Sequence, residues 1–234
     1  MREWVAESAG DTWSVTHILS FFGLGLLLFV VLPLIFSIRS PENSRHRRQI
    51  AAWARSRPNV EYRAADDSFS RRFLGPPFVQ RRRLNNDPLC INVASGRESG
   101  TSFVHLDYHP PGSDPSTCVV AVSLPRQFPD LLLRPYLHVG DVNLQPQGVL
   151  QTESEDFNRR FLIYAYDPRI AHGMLTPRVM ECLLKLPDGV TVRVERADIL
   201  CYRFARFLRP KEYAAALSAL QEVSAQLPHA FAIT

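Results

Sequence analysis

The chain has 234 residues, 46% of them hydrophobic and 21% charged, with a formal net charge of +4. That length suits one folded domain with attachments, and the composition excludes a disordered tail and a fibrous repeat. The four cysteines form no close pair, which excludes a disulfide-dense scaffold and the Cys-x-x-Cys signatures of zinc ribbons and thiol redox enzymes.

The charge is placed unevenly. Residues 1–38 carry a net −2. Residues 39–83 carry 12 Arg against 4 acidic residues, a net +8, and residues 84–234 return to −2. A nucleic-acid-binding domain more often spreads its basic residues over the folded part and interleaves them with aromatic stacking platforms. Here they are confined to a neck, and nucleic acid is not an expected partner.

The first element is the stretch from Ile18 to Phe36, ILSFFGLGLLLFVVLPLIF, which contains no charged residue. At about 1.5 Å per residue a helix of that length spans about 28 Å, close to the hydrocarbon thickness of a bilayer. Pro33 would break a water-exposed helix but is tolerated in a membrane span, and Trp13 is placed for the membrane interface. The acidic N-terminal flank and the absence of a small-x-small site before Arg39 argue against a cleaved signal peptide. A transmembrane helix is therefore expected over residues 15–38, preceded by an extracytoplasmic tail, 1–14. Six arginines lie within 20 residues of its C-terminal end, whereas only Arg2 lies before it. Basic flanks stay cytoplasmic, so the expected location is the cell membrane, single-pass, with the N-terminus outside and the rest inside. Cys90, Cys118, Cys182 and Cys201 each sit singly in apolar runs, as reduced core thiols do in a reducing compartment.

A basic juxtamembrane helix is expected within residues 39–59. Ser40 would cap it, Pro41 would occupy its first turn, and Pro58 would follow its end at Arg57. Ile50, Trp53, Ala54 and Arg57 fall at i, i+3, i+4 and i+7 and share a stripe beside arginines. Arg45, Arg47, Arg48, Arg55 and Arg57 are the candidate contacts for anionic lipid headgroups, each worth about 1 kcal/mol near a charged surface. The plainer alternative is that they only set the topology. Arg71, Arg72 and Arg81–Arg83 flank a Gly75-Pro76-Pro77-Phe78 turn and read as solvated loop charges.

Residues 60–234 read as a cytoplasmic α+β domain. Strands are expected over Leu89–Ala94 and Thr101–Tyr108, joined by the polar loop Ser95–Gly100. Thr117–Leu124 has the continuous apolar character of a central strand. Leu131–Val139 is a weaker strand interrupted by Pro135, and Phe157–Tyr166 begins another. Asp167-Pro168 and Thr176-Pro177 place a capping side chain before a proline, predicting a short turn over 169–175 and a helix over 178–186. Val190–Glu195 and Asp198–Phe204 suit a second hairpin. Pro210 starts a last helix whose Tyr213, Leu217, Leu220, Ser224 and Leu227 share a face. The order predicts a mainly antiparallel sheet with short helices and a C-terminal amphipathic helix, the helices packed on one sheet face.

Trp53-Ala54, the Gly-Pro-Pro-Phe turn, Glu153–Phe161 (ESEDFNRRF) and Asp167–Leu184 (DPRIAHGMLTPRVMECLL) together carry a resemblance. The chain resembles a family of actinobacterial single-pass membrane proteins of unknown function, and is similar to a broader bacterial membrane-associated domain. The resemblance covers roughly residues 15–230 and departs at Pro58-Asn59-Val60, where a glycine-aromatic pair would stand. It implies the same topology and fold class and brings no catalytic residues.

The search for chemistry yields one main constellation, His105-x-Asp107-x-His109, on one face of a strand. On a straight strand the outer two stand about 13 Å apart, too far for one metal ion to bridge. The residues read as the solvated face of a strand, and no metal or other cofactor is expected. Glu153, Glu155 and Asp156 read as exposed surface charge rather than an acid/base pair, and His172 has no evident partner. No phosphate-binding loop, nucleophile elbow or His-Glu-x-x-His helix is present. The expected function is a non-catalytic binding or scaffolding module at the inner membrane surface, contacting anionic lipid and an unknown protein partner. The alternative is a membrane-tethered enzyme using His105, Asp107, His138 or Glu153.

Overall fold

In the computed structural model, residues 41–73, 75–78, 89–110, 116–136, 150–204 and 208–233 are described. The expected transmembrane helix and the tail before it lie outside them, as do His138 and Arg81–Arg83. Among the described residues no helix is long and apolar enough to cross a membrane. The chain divides into two units, Met1–Arg45 and His46–Thr234, and all tertiary packing below lies within the second.

Helix α1 runs Pro41–Arg55 and is followed by strand β1, Val60–Ala65, and a short helix α2, Ser68–Arg72. Then come β2 (Cys90–Glu98), β3 (Thr101–Tyr108) and the 19-residue β4 (Thr117–Pro135). Helix α3 (Glu155–Arg160) leads directly into β5 (Phe161–Ala165). Helices α4 (Pro168–Met174) and α5 (Pro177–Leu184), strand β6 (Thr191–Phe204) and helix α6 (Pro210–Gln226) complete the order.

The sheet is antiparallel throughout, with β1, β2, β3 and β4 side by side. The first half of β4 pairs with β3 and its last residues, Leu131–Pro135, pair with β5, while β6 pairs with both halves. The length of β4 is thus what joins the two halves of the sheet. Leu131–Pro135 is the end of this strand rather than a separate one, and Pro135 closes it instead of interrupting it. Ser99 and Gly100 turn between β2 and β3 with φ of 51° and 80°, a tighter hairpin than the expected six-residue loop.

Two further expectations are corrected. Phe157–Arg160, expected to begin a strand, belongs to helix α3, because the Ser154 side chain accepts from Phe157 N and starts a turn there. Residues 191–204 form one continuous strand, not a hairpin. Arg196, with φ of 54°, sits opposite Phe128 where the β4–β6 register shifts, so the chain bends at a bulge and continues.

Alternation along the strands sends side chains into two cores. Phe103, Cys118, Val120 and Val122 join Ile50 and Ala54 of α1, Phe157 of α3, Met174 of α4, Leu183 of α5 and Leu217 and Leu220 of α6. Val104, Leu106, Tyr108, Val119, Ala121, Leu200 and Tyr202 form the opposite core. The helices α1 and α3–α6 share the first face, as expected. The second face is sealed by Phe73 and Phe78, stacked 4.9 Å apart, with Phe69 of α2 packed alongside.

Candidate functional site

The expected helix stripe Ile50, Trp53, Ala54, Arg57 faces the sheet, and one turn earlier it reaches His46, which is also buried. Below it lie residues 103, 105 and 107 of β3. His105 and Asp107 are therefore not on a solvated face: they are 1% and 0% exposed, beneath α1 and beside α6. This corrects the sequence reading. Period-two alternation separates the two faces of a strand but does not say which face a helix covers.

Cys118 on β4 stands directly opposite Asp107 in the β3–β4 register and is fully buried. Its Sγ lies 3.3 Å from His105 Nε2, and ligand-type atoms of His105, Asp107 and Cys118 all fall within 4.8 Å of one another. His46 Nε2 reaches Asp107 Oδ2 at 3.1 Å from the helix above. Asn92 donates from Nδ2 to the same oxygen at 2.8 Å, and Tyr62 donates its hydroxyl to Asn92 Oδ1 at 3.2 Å. Asn92 occupies the bulge in β2 with φ of 50°, an unusual conformation for a side-chain-bearing residue, and the bulge turns its amide toward the carboxylate.

Aromatic rings close the cluster. Tyr213 of α6 lies 4.9 Å from the His105 ring and 4.8 Å from Trp53, and Trp53 packs edge-on against Phe103. The buried Tyr213 hydroxyl and Trp53 Nε1 have no hydrogen-bond partner among the described residues. His105 Nδ1 is also buried without a hydrogen-bond partner among the described residues.

Burial decides the protonation states. It pushes the His105 pKa down to about 4, with the Asp107 charge opposing and His46 assisting. Burial also raises the Cys118 thiol well above its usual range, and the Asp107 charge adds to the effect. The pair is thus a neutral thiol against a neutral imidazole, the reverse of an activated thiolate and imidazolium, and both side chains are buried.

The other candidates lie apart. Arg45, Arg47, Arg48 and Arg55 are exposed on the outer face of α1. Arg57 is engaged within the domain: its Nη1 donates to both Glu98 oxygens at 2.7 and 2.9 Å, and its guanidinium covers the Trp53 ring at 4.5 Å. Glu155 and Asp156 are exposed and pair with Arg159 of their own helix, and Glu153 is exposed. His109 lies beyond the cluster against Ser116, and His172 is exposed on α4. Of the residues considered for a tethered enzyme, only His105 and Asp107 come together among the described residues. Two members of the cluster, His46 and Cys118, escaped sequence reasoning that searched along one strand. The signals were His46 at i−4 from Ile50, and a cysteine in the strand most apt to neighbour β3.

No protein-family model matches the chain, and no curated protein matches it. Among solved structures it is similar to the crystal structure of the mycobacterial trehalose monomycolate transport factor A, TtfA. The TM-score is 0.56 at 14% identity, and the match covers 81% of this chain and 98% of that one. At that identity the likeness establishes a shared fold.

Proposed function

We propose that this is a single-pass membrane-anchored protein whose α+β domain acts as a non-catalytic binding or scaffolding module at the cytoplasmic face of the cell membrane. The observation that carries the reading is the placing of Arg45, Arg47, Arg48 and Arg55 on the exposed face of α1, shortly after nineteen uncharged residues. A basic stripe directly following an apolar span is attracted to anionic headgroups and retained on the cytoplasmic side. The burial of its best-assembled polar cluster argues for binding rather than catalysis. The structural neighbour is named as a transport factor, and by analogy this domain would serve a membrane process by holding partners in place. Membership of the actinobacterial single-pass family belongs to the same proposal.

Right-side-out membrane vesicles treated with protease test it. Survival of the folded domain places residues 39–234 inside. Its digestion would put the domain outside and overturn the reading.

A further inference from the structure

We propose that His105, Asp107 and Cys118 form the core of a structural zinc site, with His46, whose ring lies 6.3 Å from that of His105, drawn in from α1 as the fourth ligand to staple the helix to the sheet. Three side chains offering nitrogen, oxygen and sulfur converge within 4.8 Å of one another in a fully buried place, with His46 joining from the helix. In a tetrahedral site with bonds of about 2.0–2.3 Å, neighbouring ligand atoms stand about 3.3–3.8 Å apart. The contacts His105 Nε2 to Cys118 Sγ, 3.3 Å, and His46 Nε2 to Asp107 Oδ2, 3.1 Å, are close to such edges. Small side-chain shifts would open the centre for one ion.

Asp107 is a fully buried carboxylate approached by His46 and by the Asn92 amide. A divalent cation at this place would supply directly the positive charge that a buried carboxylate calls for, and His46 would then serve as a neutral ligand. The surroundings also have the form of an outer shell. Asn92 is held at positive φ so that its amide fixes the carboxylate, and Tyr62 fixes Asn92 in turn. A mixed imidazole, carboxylate and thiolate set favours zinc over calcium or magnesium, and Cys118 would coordinate as thiolate with its proton released to solvent. Burial means that the ion enters as the domain folds.

The test uses the full chain, purified in mild detergent without chelator or polyhistidine tag, from cells grown with added zinc. Elemental analysis should find about one zinc per chain. Refolding with cobalt should give tetrahedral visible bands and a thiolate-to-cobalt charge-transfer band. Cys118→Ser should remove the charge-transfer band, whereas Cys182→Ser, at a thiol near Glu222, should keep it. Wild-type protein that neither carries zinc nor takes up cobalt overturns the proposal, and so does a cobalt spectrum without the thiolate band. Both readings are made on the wild type, so they decide even if Cys118→Ser fails to fold.

Discussion

Tyr213 shows how a single side chain is shaped by its surroundings. Its ring fills the space between Trp53 and His105, while its hydroxyl is buried without a partner and burial raises its pKa. A lone buried hydroxyl costs about 1–3 kcal/mol relative to a satisfied one. Tyr213→Phe should therefore leave stability unchanged or raise it by up to that amount, measured as the urea midpoint of the detergent-solubilised protein. A fall of several kcal/mol would mean that the hydroxyl is bonded. At this scale the sequence was a fair guide to the burial of apolar residues and a poor one to that of polar ones. Cys118 read as a core residue, and it is buried and outside any disulfide. His105 and Asp107 read as solvated because polar residues usually are, and only α1 lying across β3 makes them interior.

Elements follow their end signals more faithfully than their interiors. Asp167 and Thr176 cap α4 and α5 through their side chains, each with proline in the first turn, as their sequences predict. Ser154 gives α3 the same start, yet FNRRFLIYAY looks extended when read as a run of aromatic and β-branched residues. The cap captures only the first part, and the strand begins at Phe161. Ser154→Ala should cost about 1 kcal/mol of stability in the same urea titration. Helix α6 is fastened differently. Its Glu212 accepts from the Arg209 backbone N–H at 2.7 Å and from Arg203 Nη1 at 3.2 Å. Burial works against the charge, but these hydrogen bonds outweigh it and hold the carboxyl below its ordinary 4.5. The folded pKa lies below the unfolded one, so the stabilisation is complete above that value and is lost as pH falls through the depressed one. Glu212→Gln should thus be less stable than wild type at neutral pH. The gap should close as the buffer is acidified through that range, and a gap independent of pH would refute the assignment. Strand β1 and helix α2 went unforeseen because they are short and largely exposed, with no apolar period to announce them.

For the whole molecule the arginine stripe sets the test of membrane engagement. Full-length protein in nanodiscs should be cut by trypsin at Arg45, Arg47 and Arg48 more slowly when the lipid is anionic, and added salt should abolish the difference. Equal rates in anionic and zwitterionic discs would leave the arginines as topology signals alone. Arg57 should contribute little to that protection, because Glu98 and Trp53 already hold it.

The sequence by itself determined the α+β class, the antiparallel hairpin of β2 and β3, the capped helices α4 and α5, the proline-started α6 and the inward stripe of α1. Each depends on residues near one another in the chain, where period, capping and turn chemistry act directly. Only the tertiary structure decided that β4 joins both halves of the sheet, that β6 bends at Arg196 rather than turning back, and that both faces of the sheet are covered. It also brought His105, Asp107 and Cys118 together from β3 and β4, with His46 of α1 against Asp107. Such convergence depends on register and helix placement between distant segments, and those are settled by packing of the two cores, which no local window of sequence contains.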